Sequence, residues 1–293
     1  MPNLQHLPDF ERHLTLAALA HCPRDYWYTD QVRRGLMPDL PASDSLTLGI
    51  LVHYGLEALW IQRRHATGPW LPSPALDAID NAPETATISQ ALKDEARKGV
   101  LDYAAQWVGA RDHWKPLSVS PVSDPPAPWC VLDKEFVAYP DLTVEAGPMY
   151  PVITVDHKTS AWKFEANRWE WEPQLLTQCL AAKQLKPDAS IFYMIDYLQR
   201  PGKRSNVWSF PATPIWEFTA AKEAAAWEWL RHLFERRNHY RSTQFEGRLD
   251  LGGASITQYE LPWPQELSQC QTAWGLCKWY STCFGGDNGP TAT

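Results

Sequence analysis

The sequence lacks any apolar run of the roughly 18–20 residues that a membrane-spanning helix needs. Its beginning, MPNLQHLPDFERHLTLAALAHC, combines acidic side chains with only a very short apolar stretch, which is not typical of a secretory signal peptide. Long low-complexity tracts and internal repeats are also missing. With 44% hydrophobic and 21% charged residues, the composition is that of a globular protein. We therefore expect a cytoplasmic protein that makes no contact with a membrane.

Positive charge is in short supply. The chain has 27 basic and 34 acidic residues, which gives a net charge of −7. Proteins that bind nucleic acids usually neutralise phosphates with a basic surface, so this balance argues modestly against that class. A bound divalent metal would add positive charge that the composition omits, and basic residues also cluster locally. The clusters are Arg24 with Arg33 and Arg34, Lys203 with Arg204, and Arg231 with Arg236, Arg237 and Arg241.

Cysteine is scarce, and in a reducing cytoplasm we expect no structural disulfides from it. Three of the six cysteines form Cys-x6-Cys-x5-Cys in CQTAWGLCKWYSTC, a segment too poor in aliphatic residues to order itself by burial. Closely spaced thiolates favour a metal ion or an iron–sulfur cluster. Three ligands are one short of four, so a distant cysteine must complete the site. Cys22 is the best candidate to join Cys270, Cys277 and Cys283.

Other interpretations of the cysteines stay open, since spacing alone does not separate zinc from an iron–sulfur cluster. Reduced structural cysteines are a third alternative. Cys130 and Cys179 fall in a predicted strand and a predicted helix, where they are expected to be small buried apolar residues.

Hydrophobic periodicity predicts helices first and strands later. Helices are expected over 11–34 (interrupted at Pro23), 46–63, 87–107, 172–185 and 213–240, and strands over 131–137, 142–146, 152–155, 191–198 and 208–210. The proline-rich segments 69–74 and 116–128 are expected to be loops. This order predicts an α/β core preceded by a helical elaboration.

The segment YPVITVDHKTS brings the residues of a candidate active site to the end of an apolar strand. Alternation along a strand puts Asp156 and Lys158 on the same side and His157 on the other. Asp141 stands at the start of the preceding strand. Two carboxylates and an ammonium suit phosphodiester hydrolysis, because Mg²⁺ and Mn²⁺ prefer oxygen ligands and the lysine can orient or deprotonate a water. The alternative is a surface salt bridge at a strand end.

The order of these residues resembles the RecB-like branch of the PD-(D/E)XK nucleases, which carries Asp, then Asp-x-Lys-Thr on the next strand, then a helix with glutamine. That family opens with a helix of the pattern Gly-x-x-x-His-x-x-Leu-Glu, and this chain reads GILVHYGLE, from Gly49 to Glu57. The resemblance implies that His53 is a metal ligand; without it, an ordinary structural histidine would be the simpler interpretation. The family's Gln-x-x-x-Tyr helix corresponds to Gln174 and to Gln178, where tyrosine is expected.

The cysteines are similar to those of the iron–sulfur members of this branch, the AddB-type helicase–nucleases and the CRISPR-adaptation nucleases. These have one cysteine before the histidine helix, three after the catalytic core and often an aromatic residue after the middle one, where this chain has Trp279 and Tyr280. The resemblance implies a [4Fe–4S] cluster, with zinc as the alternative, held by Cys22, Cys270, Cys277 and Cys283. The cluster would fasten the N-terminal helical part to the C-terminus.

The resemblance also implies a restriction-endonuclease-like fold, α/β with a mixed central sheet flanked by helices. We expect one nuclease domain over 1–293, with a helical part at 1–115, the core at 129–245 and the cysteine segment at 260–285. His53, Asp141, Asp156 and the backbone carbonyl of His157 would hold Mg²⁺ or Mn²⁺. Lys158 would activate water, and Gln174 would help to position it.

The aromatic segment AWKFEANRWEWEPQ, between Lys158 and Gln174, offers rings that could stack single-stranded bases. We expect Trp162 and Trp169, together with Arg24 and Gln178, to contact nucleic acid; core packing is the alternative for the tryptophans.

By the family resemblance the substrate is a DNA end, cut by an exonuclease in recombination, repair or phage DNA processing, in a host cytoplasm if the chain is encoded by a phage. A recombination or helicase partner and an oligomer are compatible with the sequence. The rival is a non-catalytic nucleic-acid-binding or scaffold protein stabilised by an iron–sulfur cluster or by zinc. Intact Asp141, Asp156 and Lys158 argue against this rival, because a disused site would tolerate their loss.

Overall fold

A computed structural model describes residues 11–22, 25–26, 29, 43–65, 70–82, 88–107, 109–119, 129–131, 134–202, 207–250, 271–272 and 275–276. Its helices are α1 (His13–His21), α2 (Asp44–His65), α3 (Ser73–Asp80), α4 (Gln90–Trp107), α5 (Pro173–Leu185) and α6 (Ala220–Asp250). Its strands are β1 (Glu11–Arg12), β2 (Lys115–Val119), β3 (Trp129–Val131), β4 (Lys134–Val137), β5 (Leu142–Glu145), β6 (Val152–Ser160), β7 (Ile191–Gln199), β8 (Trp216–Glu217), β9 (Gln271–Thr272) and β10 (Gly275–Leu276). Among the described helices, none has the length and apolarity to cross a membrane.

The chain divides into two compact units. The larger comprises 42–127 and 138–226, and the smaller comprises 1–41, 128–137 and 227–293. The expected single nuclease domain over 1–293, with its three sub-segments, stays a prediction.

A five-stranded sheet in the order β2-β5-β6-β7-β8 forms the centre of the larger unit. The sheet is mixed, because β6 and β7 run parallel whereas the other neighbours are antiparallel. Strand β6 reads VITVDHKTS, and its first six residues are all buried, as expected for a central strand covered on both faces. Helices flank the sheet, so the predicted mixed α/β architecture is confirmed and fits a restriction-endonuclease-like fold.

Helix α2 lies at the core of the larger unit. Apolar residues at helical spacing, including Leu48, Leu51, Val52, Leu56 and Leu59, are fully buried. Two glycines let the helix approach its neighbours closely. A Cβ atom on Gly55 would lie 2.7 Å from Val100 of α4, and one on Gly49 would lie 3.0 Å from Thr159 Oγ1 of β6.

Several local predictions differ from the structure. The segment 116–128 was expected to be a loop, yet Lys115–Val119 is a strand; it is an edge strand with an irregular register at Pro116, a position where a sheet tolerates proline. Helix α3 begins at Ser73, inside the predicted proline loop at 69–74, and has proline in its first turn, where the missing N–H costs nothing. At 208–210 only one bridge, Gln199 to Ser209, forms, and α6 begins at Ala220 rather than at 213.

In the smaller unit, the described residues form a three-stranded sheet in the order β1-β4-β3 and a two-stranded ribbon of β9 and β10. The ring of Phe136 on β4 packs edge-on against Phe234 of α6, with 6.3 Å between the centroids. Glu11 and Arg12 pair with β4, although 11–34 was expected to be largely helical. Cys22 follows α1 and is buried, whereas Cys270, Cys277 and Cys283 lie outside the described residues.

Candidate active site

The two aspartates of the candidate site face each other across neighbouring strands. Leu142 of β5 pairs with Val155 of β6, which brings Asp141, just before β5, beside Asp156. Asp156 and Lys158 contact α5 on one face of the sheet, and His157 points to the other face, as the alternation of the strand predicts.

Asp156 is almost completely buried, with 1% of its surface exposed. Its Oδ1 accepts hydrogen bonds from the side-chain amides of Gln174 at 3.1 Å and Gln178 at 2.9 Å. Its Oδ2 forms an ion pair with Lys158 Nζ at 2.7 Å. Lys158 Nζ also donates to Gln174 Oε1 at 3.0 Å. The glutamine amide therefore connects the acid and the lysine and fixes their separation.

Lys158 carries a proton in this arrangement. Burial alone would lower the pKa of its ammonium, but the attraction of Asp156 and Asp141 outweighs burial and raises that pKa above its ordinary value.

Asp141 is held from two sides. Its Oδ2 accepts a hydrogen bond of 2.7 Å from the backbone N–H of His157, and its Oδ1 lies 3.5 Å from His53 Nδ1. Burial would raise the pKa of this carboxyl, but the neighbouring imidazoles of His53 and His157, with the Lys158 ammonium, hold the pKa well below its usual range. The attraction is mutual: burial would lower the pKa of His53, yet Asp141 raises it.

Sequence reasoning missed a buried polar network on the opposite face of β6. Asp196 of β7 is the cross-strand partner of His157, and its Oδ2 lies 3.6 Å from His157 Nε2. Arg111 donates to both carboxylate oxygens of Asp196, at 2.6 Å for Oδ1, and the Tyr103 hydroxyl donates to Oδ2 at 2.7 Å. The one signal in the sequence was a carboxylate inside the apolar run IFYMIDYL.

The residues predicted to contact nucleic acid lie in different environments. Trp162 is 64% exposed, Trp169 is partly exposed, and Gln178 is only 2% exposed, with its amide directed at Asp156 and at the carbonyl of Tyr139. Arg24 lies outside the described residues.

The donor chemistry fits a hard divalent cation, since Asp141 and Asp156 offer carboxylate oxygens beside the imidazole of His53. In the described part of the chain, no group of three or more His, Cys, Asp or Glu side chains has the arrangement of a metal-binding cluster. His53 Nδ1 lies 3.5 Å from Asp141 and Lys158 Nζ lies 2.7 Å from Asp156, so both side chains stand beside the carboxylate oxygens that a cation would use.

Comparison with known proteins supports the same interpretation. No curated protein matches the chain closely enough to count as a relative. A family model described as the PD-(D/E)XK nuclease superfamily matches residues 13–279, a span that includes His53, Asp141, Asp156, Lys158 and Gln174. The chain belongs to the PD-(D/E)XK nuclease superfamily, whose members are nucleases.

Proposed function

We propose that the protein is a metal-dependent deoxyribonuclease that removes nucleotides from DNA ends by hydrolysing phosphodiester bonds. The observation that carries the proposal is the meeting of Asp141, Asp156 and Lys158 at adjacent positions of two strands, with Gln174 bonded to both Asp156 and Lys158. Carboxylates and an ammonium at one point can hold a cation, orient a water and stabilise charge on a phosphate.

Each side chain has a separate part in this proposal. Asp141 and Asp156 hold Mg²⁺ or Mn²⁺, with His53 and the backbone carbonyl of His157 as further ligands. When bound, the ion supplies positive charge that offsets the charge developing on the phosphate. Lys158 orients the attacking water and stabilises the same charge as an ammonium. Gln174 keeps Lys158 and Asp156 at their working distance, and Gln178 adds a second amide donor to Asp156.

Linear and circular DNA together test the reaction and its dependence on ends. We expect the protein, with Mn²⁺, to release label from end-labelled linear DNA, to leave covalently closed circles intact and to stop when the metal is chelated. Cleavage of circles would contradict the exonuclease proposal. Binding of both substrates with no cleavage would favour the rival, a non-catalytic DNA-binding or scaffold protein.

We also propose that the segment 161–172 stacks the bases of single-stranded DNA. Trp162 and Trp171 are 64% and 54% exposed, and Arg168 lies over the Trp169 ring at 5.4 Å. Two tyrosines of β7 hold the backbone of the segment: the Tyr197 hydroxyl donates to the carbonyl of Trp162 at 2.8 Å, and Tyr193 donates to that of Glu170.

The rings are therefore presented on an anchored segment. Trp162→Ala is expected to weaken binding of single-stranded DNA by about 1–3 kcal/mol, measured by fluorescence anisotropy, and an unchanged affinity would argue for a packing role. Arg24 is proposed as a phosphate contact.

We propose a [4Fe–4S] cluster held by Cys22, Cys270, Cys277 and Cys283, with zinc as the alternative occupant. Cys22 directly follows α1, and its backbone N–H donates to the Ala18 carbonyl at 2.9 Å. The ribbon of β9 and β10 falls between Cys270 and Cys277 in the sequence. A RecB-like nuclease of this kind would act in the cytoplasm, in recombination, repair or phage DNA processing, alone, as an oligomer or beside a helicase.

A further inference from the structure

We infer that Asp196 is a positioning residue for the candidate metal ligand Asp141 and that it acts through His157. The inference rests on the proposed function, because it concerns the same metal site, and it adds three residues that the family pattern does not contain. They are Asp196, Arg111 and Tyr103, all located on the face of the sheet opposite Lys158.

His157 contacts Asp141 twice. Its backbone N–H donates to Asp141 Oδ2 at 2.7 Å, and its Nδ1 lies 3.7 Å from the same oxygen. Asp141 precedes β5, so His157 supplies a main anchor for this carboxylate. Any shift of His157 would therefore move one of the two proposed metal-binding carboxylates.

The His157 ring is buried and packs against two neighbouring rings. It is 3% exposed, and it lies edge-on to the Tyr103 ring at 6.0 Å and to the His53 ring at 6.1 Å between centroids. Its Nε2 is 3.6 Å from Asp196 Oδ2, longer than a hydrogen bond but close enough for strong attraction at a buried position. Asp196 thus bounds the ring on the side away from Asp141.

Asp196 is itself fixed from α4 and the turn that follows it. Arg111 donates to both of its oxygens, and Tyr103 donates to Oδ2 and accepts from Trp60 Nε1 at 3.3 Å. The Arg111 guanidinium lies between the rings of Trp107 and Trp114, 3.7 and 4.4 Å from their centroids. A continuous set of buried contacts therefore links a packed helix to the Asp141 carboxylate.

A role in stability alone accounts poorly for this arrangement. Burying an arginine and an aspartate removes both charges from water, and well-packed apolar residues of similar size often replace such a pair without loss of stability. A geometric role explains why charged groups with fixed directions stand behind His157. Second-sphere partners of this kind usually orient the groups that hold a metal.

Mn²⁺ binding to the full-length protein without DNA, measured by titration with electron paramagnetic resonance of free Mn²⁺, tests the inference. Asp196→Asn and Arg111→Lys are expected to weaken Mn²⁺ binding by about tenfold. Arg200→Lys is the matched control, because Arg200 also pairs with a carboxylate through two nitrogens, at 2.9 and 3.1 Å from Glu95, but does not touch His157. The control is expected to bind Mn²⁺ like the wild type.

A double-mutant cycle separates positioning from general destabilisation. If Asp196 acts through His157, adding Asp196→Asn to His157→Ala should weaken Mn²⁺ binding no further than His157→Ala alone. Independent, multiplicative losses would overturn the inference, as would wild-type affinity in folded Asp196→Asn. Should Asp196→Asn fail to fold, Arg111→Lys decides in the same way.

Failure of the positioning role can be distinguished from failure of the proposed nuclease function. A wild-type protein that binds Mn²⁺ without cutting DNA contradicts only the nuclease proposal. A wild-type protein that cuts DNA, beside an Asp196→Asn variant with unchanged Mn²⁺ affinity, contradicts only the positioning role.

Discussion

Asp156 and the three side chains that contact it form one partly buried group within the candidate site. The carboxylate accepts from Gln174 and Gln178 and pairs with Lys158. Because Asp156 is buried, each donor replaces a water that the carboxylate would otherwise bind. The two glutamines, four residues apart on α5, lie one turn apart on the same helix face, which explains how one helix serves one carboxylate.

Gln178 is the position at which this chain departs from the tyrosine of the family pattern. Gln178→Ala is expected to lower the free energy of unfolding by about 1–3 kcal/mol, because Asp156 and the Tyr139 carbonyl lose a buried donor. It should also reduce kcat/KM for DNA. Chemical denaturation and cleavage kinetics check both effects. The control is Gln184→Ala, at an exposed position of the same helix, and equal behaviour of the two variants would contradict a role for Gln178.

Asp196 gives a prediction about pH. Burial would raise the pKa of its carboxyl, but Arg111 outweighs burial and holds that pKa below the ordinary value of 3.8. A lowered pKa in the folded state means that the carboxylate stabilises the fold above pH 3.8 and that this contribution is lost as pH falls through the folded pKa. The difference in unfolding free energy between wild type and Asp196→Asn should therefore be constant near neutrality and shrink below pH 3.8. A difference independent of pH would contradict this account.

The convergence of Asp156 and Lys158 on one side of β6 was predictable from the sequence, whereas the buried contacts of Asp196 were not. Alternation along one strand predicts that Asp156 and Lys158 share a side, and that His157 faces away. Arg111 and Tyr103 meet Asp196 from 85 and 93 residues away in the chain. No local pattern specifies a contact at that separation, so the buried network emerged only from the fold.

At the scale of elements, the approach of α2 to α4 and to β6 positions His53. Gly55→Ala is expected to destabilise the larger unit by about 1–3 kcal/mol, because the added Cβ would lie 2.7 Å from Val100 and 3.0 Å from Ile79. Gly202→Ala is the control, since among the described residues beyond its chain neighbours no heavy atom lies within 4 Å of the added Cβ. Thermal denaturation compares the two, and equal melting temperatures would show that α2 has room to shift.

Elements with strong periodicity were predicted well. Helices α2, α4 and α5 and strand β7 begin and end within a few residues of the expected positions, because their buried faces repeat regularly. Proline misled the prediction at β2 and α3. An edge strand and a first helical turn both accept proline, and the sequence does not reveal which strand lies at an edge.

At the scale of the whole molecule, the proposed iron–sulfur cluster would join cysteines near the two ends of the chain. Cys277→Ala is expected to remove the iron–sulfur absorption of anaerobically purified protein and to lower its melting temperature. Cys179→Ala is the control, since Cys179 is fully buried in α5 and is not one of the proposed ligands, so this variant should keep the absorption. A colourless wild type that contains zinc would show that zinc, not an iron–sulfur cluster, occupies the site. Unchanged absorption and melting temperature in Cys277→Ala would contradict the proposal that Cys277 is a ligand.

The net charge of −7 also bears on the whole molecule. An acidic protein lacks a general attraction for phosphates, so binding must come from local groups, the bound cation and the rings of 161–172. We expect DNA binding to require Mn²⁺ or Mg²⁺ and to persist in Lys158→Ala, an inactive variant that keeps both metal-binding carboxylates. Fluorescence anisotropy with labelled DNA, with and without chelator, checks this. Tight binding without any divalent ion would contradict the proposal that the cation contributes to DNA binding.

The rate of Mn²⁺-dependent cleavage of end-labelled DNA by wild type and by Lys158→Ala is the decisive measurement of the proposed nuclease activity. Lys186→Ala is the matched control, since Lys186 also pairs with a carboxylate, Glu145, at 2.7 Å but on an exposed surface. We expect rapid cleavage by wild type and Lys186→Ala, and a loss of at least a hundredfold in folded Lys158→Ala, about the effect of removing one group that stabilises transition-state charge. Cleavage by Lys158→Ala at the wild-type rate would contradict the account.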